Sequence, residues 1–215
     1  MLLLHGAGLG PWIWERMLPE LATPGETIEH GADVEESIAR VEARLAERTV
    51  LVAHSFTANV ALATATRHRD RVAAVVLVGG MIAPSGKAFV SLLPVPMRWI
   101  LTLLLKRASS GMALPKSLVR KEYCNDLDEA ITEMVMTRIV DERPRLYLDR
   151  VEWSPVRTFY VKLLRDKSLA VKRQEEMIAR VAAEGVETID GGHLAMLSRP
   201  NELAAALERV VSRLR

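Results

Sequence analysis

Two continuous apolar runs with a bias toward β-branched residues lie in the first half of the chain. They are TVLVA (49–53) and VAAVVLVGG (72–80), and an Ala- and Thr-rich segment, 56–68, separates them. Uninterrupted apolar runs are typical of parallel strands that are buried on both faces. The pattern therefore predicts two parallel strands joined by a crossover helix.

The same alternation of apolar runs and amphipathic segments continues on both sides of this unit. Strands are predicted at 1–4, 27–30, 156–164 and 186–190, and helices at 11–21, from Asp33, at 171–183 and from Pro200. Asp33 and Glu36 form the pattern of a capping box at a helix start. Alternating strands and helices predict an α/β fold with a mostly parallel sheet of about six strands flanked by helices.

Residues 81–155 interrupt this alternation. They carry mainly helical patterns and six prolines, and they contain no convincing strand. We therefore expect a core formed by residues 1–80 and 156–215, with residues 81–155 inserted as a helical cap after the third well-defined strand.

One part of this insertion, AFVSLLPVPMRWILTLLL (88–105), is almost entirely apolar. Pro94, Pro96 and Arg98 stand in its middle, and a membrane-spanning helix needs about 20 residues with few charges. We expect helical pieces with a large buried face and no stable membrane insertion. A role at a membrane surface is the alternative.

Composition narrows the possible functions. The 215 residues carry a net charge of +2 with basic residues throughout the chain, so nucleic-acid binding is not indicated. Cys124 is the single cysteine, and none of the five histidines has metal-site spacing, so neither a disulfide nor a metal or other cofactor is expected. The start MLLLHG lacks the features of a signal peptide, which favours a cytoplasmic protein.

The stretch VLVAHSFTANVAL (50–62) passes from strand to helix without a loop, and Ser55 stands at the junction. Ligands bind beyond the carboxyl ends of parallel strands. A sharp strand-to-helix turn exposes its central side chain there and directs the first N–H groups of the helix toward the same point. Ser55 is therefore a candidate nucleophile.

A reactive serine needs a base, and the base needs an acid that orients it. Asp166 follows the predicted strand 156–164, and His193 follows the strand 186–190 in the sequence GGHLAML. The strand 72–80 ends in two glycines, so this second strand end offers no carboxylate. Asp166 is therefore the main candidate for the acid. The N–H groups of Ala7, in the HGAG turn after the first strand, and of Phe56 are candidate donors to an oxyanion.

The motifs LLLHGAGLGPWIW, VLVAHSFTA, LLRDKSLAVKRQEEMIA and GGHLAMLSRP cover nearly the whole chain. In their order they resemble the α/β-hydrolase superfamily, and among its branches the compact one with plant methyl-ester esterases and hydroxynitrile lyases. The resemblance implies Ser55 as nucleophile, His193 as general base and acid, and Asp166 as the residue that orients His193. It also implies that residues 81–155 shape the substrate pocket.

The chain departs from the family pattern at its G-x-S-x-G motif, which reads Ala53-His54-Ser55-Phe56-Thr57. Of the two residues that replace glycine, Thr57 is the harder one to accommodate, because its β-branched side chain must fit between helix and strand. The first strand also begins at Met1, so the branch is minimal or the start has been trimmed.

Four other polar residues have structural interpretations. We expect His54 to point away from the serine and pack, and His5 to brace the HGAG turn by hydrogen bonding. His30 is expected at the surface, and Asp126 is expected to cap a helix.

These features predict a serine hydrolase that cleaves a small to medium, hydrophobic carboxylic ester through an acyl-enzyme, as a monomer or homodimer. One alternative is a hydroxynitrile-lyase-like or other C–C bond cleaving enzyme with the same three residues. The lyases tend to carry threonine after the first histidine and lysine after the last, where this chain has Gly6 and Leu194. A ligand receptor on the same fold is a further alternative.

Overall fold

The computed structural model describes residues 1–108 and 111–214. Its strands are β1 (Leu2–Leu4), β2 (Glu26–Ile28), β3 (Thr49–His54), β4 (Val72–Val78), β5 (Lys87–Ala88), β6 (Arg150–Val151), β7 (Thr158–Leu163) and β8 (Gly185–Ile189). Six of them form one sheet in the order β2-β1-β3-β4-β7-β8, and every neighbouring pair is parallel. The predicted mostly parallel sheet of about six strands is confirmed.

Helices cover the sheet and fill the long insertion. They are α1 (Val34–Glu42), α2 (Ala58–Arg67), α3 (Val95–Arg107), α4 (Lys116–Leu118), α5 (Glu129–Arg138), α6 (Pro144–Leu148), α7 (Val171–Val181), α8 (Ala195–Ser198) and α9 (Pro200–Ser212). Short 3-10 turns lie at Pro11–Trp14, Leu18–Glu20, Ser55–Thr57 and Phe89–Leu92, and a π-helical turn, Val119–Tyr123, follows α4.

The hydrophobic core lies on both faces of the sheet, as the continuous apolar strands require. In β3, Leu51 and Ala53 face the layer that contains α1, α2 and α7, whereas Val50 and Val52 face the layer that contains α9. This two-sided burial gives the α/β architecture and places all the strand ends along one edge, where the candidate residues lie.

The predicted helix at 11–21 is wrong in detail. The structure has two 3-10 turns, Pro11–Trp14 and Leu18–Glu20, in its place. Pro19 explains the difference, because it has no N–H to donate and its ring would collide with the carbonyl one helical turn earlier.

Residues 81–155, hereafter the cap segment, contain α3 to α6 together with an unexpected pair of strands. β5 and β6 are antiparallel and join the two ends of the segment. The Gly86 N–H donates to the Val151 carbonyl at 2.9 Å, and the Ser85 hydroxyl donates to the Trp153 carbonyl at 2.6 Å. Two-residue strands leave no periodic pattern, so the sequence did not indicate them.

The apolar stretch 88–105 forms the turn Phe89–Leu92 and helix α3. No helix in the described ranges is both long and apolar enough to cross a membrane. The large buried face expected for this stretch is not found, because Leu105 is the only residue of α3 that is fully buried.

Candidate active site

Ser55 occupies the sharp turn between β3 and α2. Its φ of +55° lies in the left-handed region, which a residue with a side chain adopts only at an energetic cost. The residue is 3% exposed, and its carbonyl accepts a hydrogen bond from the Met81 N–H at 2.9 Å. The strained turn expected from VLVAHSFTA is therefore present.

The two residues that replace glycine in the motif are both accommodated. Ala53 is the second-last residue of β3 and is fully buried. Thr57 is also fully buried, and its hydroxyl donates to the His54 carbonyl at 2.9 Å. This bond satisfies the only polar group that Thr57 adds, so the turn forms without the second glycine.

Asp166 lies in the turn after β7, with its carboxylate held by three donors. One oxygen accepts the N–H groups of Ser168 and Leu169, both at 2.8 Å, and the other contacts His193 Nδ1 at 2.8 Å. A Cβ built at Gly79, whose φ is +51°, would lie 3.3 Å from the second oxygen. Glycine at position 79, directly after β4, thus leaves space for the Asp166 carboxylate in the turn after β7.

His193 lies in the loop after β8 and is fully buried. Because the Asp166 carboxylate only accepts hydrogen bonds, Nδ1 carries the proton of that bond and the lone pair of a neutral ring stays on Nε2. Among the described residues, Nε2 has no hydrogen-bond partner. The ring lies 4.7 Å, centroid to centroid, from that of His54, the residue next to Ser55. The structure therefore joins His193 to Asp166 and places them beside the Ser55 turn, without a Ser55–His193 hydrogen bond.

His54 does more than the packing role that the sequence suggested. Its Nε2 donates to the His193 carbonyl at 2.9 Å, so it supports the backbone that carries the candidate base. Burial, with a further contribution from His193, lowers the pKa of His54 well below its usual value, and the ring is therefore neutral. Its Nδ1 is buried and unpaired within the described chain.

The loop that carries His193 is also held by the cap segment. Asp126 Oδ2 accepts a hydrogen bond from the Gly192 N–H at 2.6 Å. The expectation that Asp126 caps a helix is therefore wrong. Asp128 has that role, since its side chain accepts the Ile131 N–H at the start of α5. The sequence could not distinguish two acids of the same cluster, because the partner of Asp126 is 66 residues away.

The HGAG turn, which contains the candidate donor Ala7, is held from the cap segment as well. Gly8 has a φ of +69°, its carbonyl accepts the Val140 N–H at 3.0 Å, and its N–H donates to the Glu142 carboxylate. Glu142 is 3% exposed, and burial raises its pKa above the usual value, although the Gly8 hydrogen bond opposes this shift. Within the described ranges, the Ala7 N–H itself donates to no protein acceptor.

His5 and His30 stack behind this turn. Their ring centroids are 3.7 Å apart, and His5 Nδ1 contacts the Gly6 carbonyl at 3.0 Å. The expected bracing by His5 agrees with this contact. His30 is only partly exposed and its Nε2 is buried, so the expectation of a surface position for His30 holds only in part. Desolvation lowers the pKa of His30 well below its usual value. A single histidine between polar residues carries no pattern that would have predicted its contact with His5.

Aromatic side chains from residues 81–155 contact Phe56 and His193. The Tyr123 ring lies 4.7 Å from the His193 ring, and Phe56 packs against Phe89 and Tyr147 at 5.0 and 5.3 Å. Tyr123, Tyr147 and Phe89 stand in segments without clear periodicity, so the sequence alone did not assign them to the site. The described residues contain no group of three or more side chains placed to hold a metal ion.

Solved structures with the same fold were found. The chain superposes on a methylesterase from Arabidopsis with a TM-score of 0.80 and 16% identity, covering 99% of this chain and 98% of the other. It superposes on an extracellular α/β-hydrolase from a Paenibacillus species with a TM-score of 0.81 and 15% identity, covering 97% of each chain. A variant of tomato methylketone synthase I gives a TM-score of 0.81 and 12% identity, with coverage of 100% and 98%.

At these identities the superpositions establish the fold and no more. No curated protein matches the sequence significantly. A sequence model described as the alpha/beta hydrolase family matches residues 1–206, which is nearly the whole chain. The chain is therefore a member of the α/β-hydrolase family.

Proposed function

We propose that this protein is a serine hydrolase that cleaves a hydrophobic carboxylic ester. Ser55 is the nucleophile, His193 is the general base and acid, and Asp166 orients His193. The N–H groups of Ala7 and Phe56 stabilise the oxyanion. No cofactor takes part in this chemistry.

The observation that carries the proposal is the state of the His193 ring. Nδ1 is bonded to Asp166 at 2.8 Å, and the opposite nitrogen, Nε2, is buried beside a serine in a strained turn with no partner in the described chain. A buried imidazole nitrogen without a partner costs free energy, and a catalytic role is one explanation for keeping it. Hydrogen bonds between nucleophile and base often form only when substrate is bound. A Ser55–His193 bond that forms with substrate is therefore compatible with the geometry.

The reaction proceeds in two halves on these residues. In the first, Nε2 of His193 takes the Ser55 proton while Oγ attacks the ester carbon, and the same proton then passes to the leaving alcohol. In the second, His193 removes a proton from water, which attacks the acyl-enzyme and releases the acid. The carboxylate of Asp166 stabilises the imidazolium that forms in each half.

The surroundings of Ser55 favour an uncharged, apolar substrate. Phe56, Phe89 and Tyr147 form an aromatic wall, and burial raises the pKa of Tyr147 well above its usual value, so its hydroxyl stays protonated. That hydroxyl is buried and has no partner within the described chain, and it can donate to one polar oxygen of a substrate. Ester cleavage is also named for the Arabidopsis neighbour and for polyneuridine aldehyde esterase, whose structure this chain matches with a TM-score of 0.78 and 17% identity.

The lyase alternative has less support. A Cβ built at Gly6, where the lyases tend to carry threonine, would lie 2.6 Å from His54 Nδ1 and 3.2 Å from Ser55 Cβ. Leu194, where they tend to carry lysine, is fully buried. Neither position offers the polar side chain of that branch.

The proposal is tested with a panel of p-nitrophenyl esters of graded acyl length. The wild type is expected to turn over repeatedly, with a preference for acyl chains of short to medium length. Ser55→Ala is expected to lose kcat/KM by about 10³-fold or more, because the nucleophile is absent.

Ser198→Ala is the matched control, because Ser198 is a serine at the end of α8, outside the proposed machinery. A single stoichiometric turnover by the wild type would favour a ligand receptor. Equal activity of the wild type and Ser55→Ala would contradict the assignment of Ser55.

A further inference from the structure

Helix α3 presents an exposed apolar surface that is unusual for the outer face of a helix. Its inner side packs on the body of the protein through Leu105, which is 1% exposed. The described chain has ten large hydrophobic residues that are exposed, and six of them belong to this one helix: Val95, Met97, Trp99, Ile100, Leu103 and Leu104. Trp99 is 72% exposed. A cluster of this kind marks an interaction surface.

The stretch of sequence that contains α3 is rich in basic residues and lacks acidic ones. Residues 87–121 contain seven lysines and arginines and no aspartate or glutamate, which leaves 22 basic residues against 27 acidic ones in the rest of the chain. The overall charge of +2 therefore conceals a strong separation of charge. Among the described residues, the only ion pairs from this stretch are those of Arg120 with Glu129 and Glu133.

Two depressions combine apolar walls with cations. A groove of about 560 Å³ is lined by Val90, Trp99 and Leu103, with Arg98 and Lys106 beside them. A second depression of about 440 Å³ is also lined by Lys106, together with Arg143 and Arg145. Arg145 lies 3.7 and 3.5 Å from carboxylates of Asp33 and Asp149, so it is partly neutralised.

We propose that α3 and its flanking basic residues bind the surface of a membrane that contains anionic phospholipid. Trp99, Ile100 and Leu103 enter the boundary between headgroups and acyl chains, while Arg98, Lys106 and Arg107 contact the phosphates. Tryptophan favours this boundary, and a helix with exposed apolar residues and adjacent cations lies in its plane. The cap segment that covers Ser55 is then the part of the protein that meets the lipid.

The charge separation favours lipid over a second copy of this chain. In a symmetric dimer across α3, the stretch 87–121 would face its own copy, and two surfaces with the same cations would repel each other. An anionic bilayer complements both the apolar residues and the cations. The proposal does not depend on the esterase assignment.

Flotation with vesicles of phosphatidylcholine, with and without phosphatidylserine, tests the proposal. The wild type is expected to float with the mixed vesicles and to remain in solution with pure phosphatidylcholine, and added salt should weaken the binding. One cation near an anionic surface strengthens partitioning about fivefold. The triple variant Arg98→Gln, Lys106→Gln, Arg107→Gln should thus bind about 10²-fold more weakly.

Trp99→Ser should also weaken binding, whereas Val186→Ser is the matched control and should not. Val186 is an exposed hydrophobic residue, 41% accessible, on the edge strand β8. Circular dichroism on each variant shows whether it is folded. The proposal is overturned if the wild type binds neither vesicle, if Trp99→Ser binds as the wild type does, or if α3 instead mediates a dimer that Trp99→Ser dissociates without any vesicle binding.

Discussion

At the scale of single residues, the site depends on a few side chains that hold the backbone around Ser55 and His193. The motifs VLVAHSFTA and GGHLAML predicted Ser55 and His193 as candidates, because a short sequence at a strand end fixes the local geometry. His54 was not recognised as a support, because its partner is the carbonyl of a residue 139 positions later. Contacts of this separation leave no trace in a local pattern.

The hydrogen bond from His54 to the His193 carbonyl gives the first prediction. His54→Phe keeps an aromatic ring and removes the N–H donor. The loop of His193 then loses one hydrogen bond, which contributes about 1 kcal/mol. We expect kcat/KM for p-nitrophenyl butyrate to fall about five- to tenfold, mainly through kcat, with a folded protein by circular dichroism.

His68→Phe is the control, because His68 is a partly exposed histidine that contacts Glu42 away from the site. It should keep the wild-type kcat. If His54→Phe also keeps it, the supporting role of His54 is wrong.

The buried carboxylate of Glu142 gives a prediction about pH. Burial raises its pKa in the folded protein above the unfolded value of 4.5, whereas Arg143 and His5 act in the opposite direction. Below about pH 4.5 the group is protonated in both states and contributes no pH dependence. As the pH rises from that value to the raised pKa of the folded state, the carboxyl loses its proton in the unfolded state but keeps it in the folded state, so the free energy of unfolding falls. Above the raised pKa the folded state buries the charge, and the loss of stability persists.

Glu142→Gln keeps an oxygen that accepts the Gly8 N–H and removes the charge. The difference in Tm between Glu142→Gln and the wild type is therefore expected to grow in favour of the variant as the pH rises from about 4.5 toward neutrality. Thermal unfolding of both proteins across this range measures it. A difference that is constant with pH, or that shrinks, would show that Glu142 is not destabilised by burial.

At the scale of elements, the sequence predicted the parts that follow a strong period. The strands β3, β4 and β7 and the helices α2, α7 and α9 appear where their apolar patterns indicated. The failures have physical causes. Pro19 breaks the helix expected at 11–21 into two turns, and β5 and β6 are too short to show alternation. The mainly exposed α3 was mistaken for a buried helix, because an apolar residue in a sequence does not indicate what covers it.

Contacts between the cap segment and the strand-end loops give a prediction at this scale. Asp126→Ala removes the acceptor of the Gly192 N–H and loosens the loop of His193. Hydrogen bonds to charged groups are worth about 1.5–3 kcal/mol, so kcat/KM for p-nitrophenyl butyrate should fall about tenfold. Asp126→Asn retains an oxygen acceptor and should recover most of this loss.

Asp128→Ala is the matched control, two residues further along the same loop. It removes the N-cap of α5 and should lower the free energy of unfolding by about 1 kcal/mol without the loss of kcat/KM at a temperature where the protein stays folded. Equal losses of activity in both alanine variants would mean that Asp126 acts only through the stability of the cap segment.

At the scale of the whole molecule, Ser55 and His193 are buried beneath the cap segment. Their exposures are 3% and 0%, so both residues are almost entirely shielded from solvent. Contacts of Val140 and Glu142 with Gly8, and of Asp126 with Gly192, connect the cap segment to the loops that follow β1 and β8. The overall architecture was predictable because sheet and helices follow local periods, whereas these connections join segments that are far apart in the sequence.

The reactivity of Ser55 is the central claim, and covalent labelling by a fluorophosphonate probe tests it most directly. Mass spectrometry of the treated wild type should find one adduct, on the peptide that contains Ser55, and His193→Ala should label far more slowly. Ser55→Ala should carry no adduct. Labelling of Ser55→Ala to the same extent as the wild type, or no labelling of a folded wild type, would contradict the account.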